Sequence, residues 1–203
     1  MKIYLVGISC VGKTTIGRLL AKYLDFSFYD LDNEVQKYYQ KPIEIIQNEC
    51  FTMNTYRQKA SVVLDRLLKI KDNSVISGTA SGLRDSYLQI YKKHKREIDI
   101  ISVNIIDTPE NILDRITFYD VDSKLLDIEL DDNEKKKYLK EIVGDFNYFK
   151  KSLSRADLQI RIENISLAQI PELIVKELNK IIPDQMGYSI LAEHLSQEIS
   201  KLN

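Results

Sequence analysis

The chain has 203 residues, 44% of them hydrophobic and 29% charged, with a formal net charge of −1. That length suits one well-buried core, and the near-balanced charge excludes a global pull toward nucleic acid or an anionic membrane. Two cysteines, Cys10 and Cys50, make no disulfide framework, and no apolar run approaches the length of a membrane span, so a soluble protein of the reducing cytoplasm is expected.

The opening MKIYLVG is too short for a signal peptide, and KIYLV at 2–6 reads instead as a buried parallel strand. Residues 7–14, GISCVGKT, follow the pattern of glycine, four residues, then Gly-Lys-Thr. In such a loop successive backbone N–H groups turn inward toward phosphate oxygens. Gly7 and Gly12 suit the tight turns, and the amides of Ser9, Cys10, Val11, Gly12, Lys13, Thr14 and Thr15 are expected to line the cup. Lys13 is expected to reach the β- and γ-phosphates, and Thr14 to place its hydroxyl on Mg²⁺. The following segment, KTTIGRLLAKYL, carries apolar residues at helical spacing, so a helix aims its positive end at the anion.

Further along, FSFY at 26–29 predicts a second strand that runs out at Asp30 and Asp32. Residues 31–39 and 42–70 predict helices interrupted at Pro42. SVIS at 74–77 predicts a third strand, 84–95 a helix, and IDIISVNII at 98–106 a fourth strand. The basic run KKHKR at 92–96 is expected on the solvated end of its helix. Asp107-Thr108-Pro109-Glu110 opens another helix, with Asp or Thr as cap and Pro in its first turn. LQIRI at 158–162 predicts a fifth strand and 167–182 a helix. The alternation predicts an α/β protein: three layers, α/β/α, around a mostly parallel five-stranded sheet. Residues 119–136 stand apart as a charged candidate lid, and 183–203 as a tail whose Ile190, Leu191, Leu195 and Ile199 make a helical stripe. That stripe docks on its own domain or on a partner subunit, which leaves monomer and homodimer both open.

The run GISCVGKTTIGRLLAKYLDFSFYDLDNEV resembles the N-terminal third of the shikimate kinase family, and weaker similarity continues to about residue 182. The resemblance implies a P-loop kinase domain over 1–182 that uses ATP with Mg²⁺ to phosphorylate a hydroxyl on a small acid. It places Asp30 near the metal and Asp32 at the acceptor's hydroxyls, with capping of the next helix as the alternative for Asp32. It also places Arg57, which follows Tyr56 where the family has Phe-Arg, on the acceptor's carboxylate; an ordinary surface arginine is the alternative. Arg115 falls where the family stacks an arginine on adenine, although a solvated helix face would also carry one, and Asn164 falls on the turn that meets the adenine edge. Gly78 and Thr79 fall in the acceptor-binding run after the third strand.

The chain departs from the family pattern in four places. The triple glycine is replaced by SGTASG, with Thr79 and Ala80 after Gly78. Thr52-Met53 stands in place of a Gly-Glu pair. In the lid, Lys124 is the nearest cation to the family's arginine, and residues 120–136 carry seven acidic residues against three lysines. Such a segment would repel a polyphosphate unless its carboxylates face outward. At the family's second acceptor-binding arginine the ungapped position is Tyr148, and a short insertion gives Asp145; Lys150, Lys151 and Arg155 are close enough in sequence to substitute. These losses fall on the acceptor side. They leave three readings: a shikimate kinase, a kinase for a different small acceptor, and a nucleotide-binding regulator without transferase activity.

Overall fold

A computed structural model describes residues 1–119, 125–126 and 128–182. In chain order the elements are β1 (Lys2–Val6), α1 (Lys13–Leu24), β2 (Ser27–Asp30), α2 (Leu31–Tyr39), α3 (Ile43–Asn48), α4 (Met53–Leu68), β3 (Ser74–Ser77) and α5 (Asp85–His94). They continue with β4 (Ile100–Ile106), α6 (Pro109–Leu113), β5 (Phe118–Tyr119), β6 (Leu125–Leu126), α7 (Asp132–Leu153), β7 (Leu158–Arg161) and α8 (Ile170–Ile181). The main sheet has five strands in the order β2-β3-β1-β4-β7, and every neighbouring pair is parallel. The fold is therefore the three-layer α/β type, with a wholly rather than mostly parallel sheet.

Burial follows position in that sheet. The central strand β1 is buried at every residue, β3 likewise, and the edge strands β2 and β7 only in part. This explains why KIYLV and SVIS read as unbroken apolar or small runs rather than as alternating ones. α1 turns Ile16, Leu20, Ala21 and Leu24 inward and packs on β3 and α8, while α4 packs on α5. The chain passes from β1 to one side of the sheet and later recrosses to β4. In such sheets a ligand crevice opens at the strands' carboxyl ends beside the reversal, where the loop after β1 stands.

Two expectations change. The long helix over 42–70 is two helices, because Thr52 turns out of helical geometry and caps α4, accepting from the Thr55 amide at 3.2 Å. The 92–96 run is only partly solvated: Lys92 and Lys93 suit the end of α5, but His94 is buried and its Nε2 lies 2.8 Å from Asp65. In the candidate lid, β5 and β6 pair antiparallel and Asp131 forms a capping box with Glu134 at the start of α7. Asp131, Asp132 and Glu134 thus stabilise a helix N-terminus, which accounts for three of the segment's seven acidic residues. Lys124, Asp120, Asp122, Asp127 and the 183–203 tail lie outside the described residues.

Candidate active site

The loop between β1 and α1 has backbone angles that side chains resist. Gly7 has φ +149° and Gly12 +100°. A Cβ on Gly7 would stand 2.8 Å from the Ile105 carbonyl oxygen and 3.0 Å from Val11 Cγ1. Cys10 takes a left-handed φ of +59° with its side chain exposed, and burial of its surroundings pushes the thiol up against the opposing pull of Lys13. Gly12 begins α1 without any side-chain cap, and the first turn carries no acidic residue. α2 and α7, by contrast, are each capped by an aspartate. The first-turn amides of α1 are therefore left for an external anion. Lys13 Nζ donates to the carbonyls of Gly7 at 3.0 Å and Ile8 at 2.8 Å, which holds the ammonium over the loop. Burial pulls its pKa down to about 8, opposed by the charges of Asp32, Cys10 and Asp30.

Beside the loop, the first turn of α1 and the ends of β2 and β3 bring oxygen atoms together. Asp30 pairs with Ser77 across the sheet, and Ser77 with Leu5. Thr14 Oγ1 donates to Asp30 Oδ2 at 2.7 Å and lies 3.5 Å from Ser77 Oγ. Asp30 also caps α2 through the Asn33 amide at 3.2 Å. Capping, expected as the alternative for Asp32, thus falls to Asp30. Asp32 is instead the second residue of α2, with the Tyr56 hydroxyl 3.5 Å from its Oδ1. Burial raises its pKa and the Asp30 charge raises it further, while Lys13 and the Tyr56 hydroxyl oppose them. Among the described residues no group of three or more His, Cys, Asp or Glu side chains is arranged to hold a metal ion. The hard oxygen set Thr14, Asp30 and Ser77 is the arrangement that suits one.

Arg57 is buried rather than on the surface. Its Nε donates to Ser81 Oγ at 3.0 Å and its Nη1 reaches Asp85 Oδ2 at 3.3 Å. Gly78 owes its lack of a side chain to packing: a Cβ there would stand 2.7 Å from Tyr4, whose ring is fully buried. Thr79 is buried too, with its hydroxyl among the unpartnered buried atoms.

On the other flank, Arg115 forms an ion pair with the buried Asp107 and donates to the Val11 carbonyl at 3.4 Å, which ties the loop to the end of α6. Burial pushes Asp107 up, but hydrogen bonds from Asn111, Arg115 and the Thr108 amide outweigh it and hold the carboxyl low. Asn164 sits at φ +60° in the turn after β7, exposed. The sequence reading missed Ser77, Ser81, Asp85 and Asp107. Ser77 and Asp107 each stand at a strand's carboxyl end, a position that could have flagged them; Ser81 and Asp85 carry no local signal.

A phosphate-type loop at the head of the central parallel strand, with carboxylates on the adjoining rim, defines a P-loop small-molecule kinase. A family model described as shikimate kinase matches residues 9–141, and the chain belongs to that family. It is 33% identical over 180 residues to shikimate kinase from Aquifex aeolicus, covering 88% of this chain and 94% of that protein. It is 32% identical over 169 residues to shikimate kinase from Persephonella marina, covering 83% and 93%. The crystal structure of the Aquifex aeolicus shikimate kinase superposes with a TM-score of 0.64 at 27% identity, covering 88% of this chain and 96% of that one. The chain is thus an ATP-binding phosphotransferase.

Proposed function

We propose that this chain transfers the γ-phosphoryl group of ATP to a hydroxyl of shikimate or a closely related hydroxy acid. The observation that carries this reading is the junction of the phosphate loop with the aspartates after β2: Thr14 Oγ1 donates to Asp30 Oδ2 at 2.7 Å, which sets Asp32, two residues on, beside the loop whose carbonyls hold Lys13. A phosphoryl donor and a hydroxyl acceptor need such adjoining groups.

In this reading the loop amides from Ser9 to Thr15 cradle the phosphates and Lys13 swings from the Gly7 and Ile8 carbonyls onto the β- and γ-phosphates. Asp32, held by Tyr56, orients the acceptor hydroxyl and takes its proton as the oxygen attacks. The raised affinity of Asp32 for a proton suits it to that task. Arg57 binds the acceptor's carboxylate, and Gly78 and Thr79 line that side. Lys124 supplies a further cation to the transferring group. Arg115 and Asn164 border the adenine. Mg²⁺ fits the oxygen donors of Thr14 and Asp30, since this ion keeps several waters and takes few protein ligands. When bound, it neutralises charge on the β- and γ-phosphates. Catalysis then rests on positioning and charge neutralisation.

The test is an ADP-release assay over a panel of cyclic and linear hydroxy acids, run on the wild type, Lys13→Ala and Asp32→Asn. The reading expects turnover with shikimate or a near relative and its loss in both variants. ATP turnover that no acceptor stimulates refutes the reading. A different acceptor is the second reading, favoured by Thr79 and Ala80, which stand where the family has glycines; it wins if another acid gives turnover and shikimate does not.

A further inference from the structure

Two guanidinium groups converge on one carboxylate oxygen in this molecule. Arg57 Nη1 and Arg84 Nε both lie 3.3 Å from Asp85 Oδ2. Neither contact is the two-bond fork in which a guanidinium and a carboxylate match best. Arg57 is buried, so its charge needs a partner at all times. Arg84 is braced from the opposite side, with its guanidinium carbon 4.5 Å from the centre of the Tyr148 ring. Asp85 itself is only partly shielded from water. Its backbone stands at φ +48°, a region that non-glycine residues seldom occupy, and its side chain is 40% exposed. Its carboxylate thus has water on one side and the two arginines on the other. A cleft of about 270 Å³ opens here, lined by Arg84, Asp85, Tyr148, Lys151, Ser152 and Arg155. Three cations and one anion give that wall a net positive charge, which favours an incoming anion.

We infer that Arg57 and Arg84 together form a carboxylate clamp for the acceptor, and that Asp85 is a resident counter-ion which the acceptor's own carboxylate replaces. The inference rests on the proposed acceptor class, a hydroxy acid. Asp85 keeps the buried Arg57 paired while the site is empty. The acceptor offers two oxygens where Asp85 presents one to both arginines, so it gains the forked geometry that Asp85 lacks. A neutral analogue cannot displace Asp85 on these terms, and the pair of arginines thus selects for charge.

The test is a KM and kcat comparison with shikimate and with its neutral methyl ester. It uses the wild type, Arg84→Gln, Arg84→Lys and Asp85→Asn, with melting curves as the check on folding. Arg84→Gln should raise KM for the acid by about tenfold or more and change kcat little, because the lost contact is made equally before and during transfer. Arg84→Lys should fall between, as a point charge without the fork. Asp85→Asn should lower KM for the acid several-fold, since the competing charge is gone; asparagine tolerates the left-handed backbone, and the melting curve reports what the loss of Arg57's counter-ion costs. KM for ATP should not move, and the methyl ester should respond to none of the changes.

The clamp is overturned if Arg84→Gln leaves KM within about twofold of wild type, or if Asp85→Asn raises KM as Arg84→Gln does, which would make Asp85 a brace. If Arg84→Gln fails to fold, the direction of the Asp85→Asn effect decides alone. A wild type that phosphorylates shikimate normally while Arg84→Gln is unaffected sinks the clamp and leaves the functional reading standing. A wild type that phosphorylates no carboxylated acceptor sinks both.

Discussion

Gly7→Ala is the sharpest perturbation of the nucleotide side. The new Cβ would stand 2.8 Å from the Ile105 carbonyl oxygen, a backbone atom of the buried strand β4, and 3.0 Å from Val11 Cγ1. Neither neighbour can yield cheaply, because β4 is bonded to β1 on one side and β7 on the other. Overpacking of this kind costs about 1–3 kcal/mol. The φ of +149° adds strain of about 1–3 kcal/mol for a residue with a Cβ. A loss of at least about 2 kcal/mol lowers the melting temperature of a domain this size by about 4–8 °C. Gly12→Ala is the control. It shares the positive φ, but its Cβ meets only Ile16 Cδ1 at 3.5 Å, an ordinary contact, so only the strain remains. Thermal melts with and without ATP, and calorimetry of ATP binding, should rank the proteins wild type, Gly12→Ala, Gly7→Ala in stability. Gly7→Ala should also bind ATP at least about tenfold more weakly, because relief of the clash moves the amides that cradle the phosphates. A Gly7→Ala protein that melts and binds like the wild type would refute the geometric reasoning.

Further perturbations act on contacts other than those of Gly7. Gly78→Ala should destabilise by about 1–3 kcal/mol in a urea melt, because its Cβ meets the immobile Tyr4 ring rather than open space. Asp157 is pushed up by burial, but Lys95, the Ser102 amide and hydroxyl and the Tyr91 hydroxyl outweigh this and hold its carboxyl below the ordinary range. Its stabilising effect is therefore complete above the unfolded value of about 3.9 and is lost as pH falls through the lower folded value. Asp157→Asn should cost about 1.5–3 kcal/mol at neutral pH, and the gap from wild type should close in melts taken progressively below about pH 4. Arg115→Ala should weaken ATP binding while leaving KM for the acceptor unchanged, since it frees Val11 and leaves the buried Asp107 carboxylate without its ion pair.

What was legible in the sequence was what is local. Strand, glycine loop and helix are contiguous, so GISCVGKT and its flanks pointed to β1, the turns at Gly7 and Gly12 and α1, and Asp30 could be placed beside the loop because β2 ends there. The choice between Asp30 and Asp32 as helix cap was open at that level. It turns on where β2 stops, and pairing of Asp30 with Ser77 stops it at the aspartate itself. The acceptor side was harder to read for the same reason. Arg57 is held by Ser81 and Asp85, respectively 24 and 28 residues away, and only folding shows that they meet. His94 looked solvated because its neighbours are basic, whereas its partner Asp65 comes from another helix. In the candidate lid, Asp131 and Glu134 form a capping box at the start of α7, a local pairing that Asp and Glu three residues apart could have signalled.

The most direct measurement is mass spectrometry of the products after the protein is mixed with shikimate, ATP and Mg²⁺. The account predicts a phosphate monoester of shikimate formed in step with ADP, and none when Lys13→Ala replaces the wild type. Free phosphate with unmodified shikimate, or the same ester from Lys13→Ala, would contradict it.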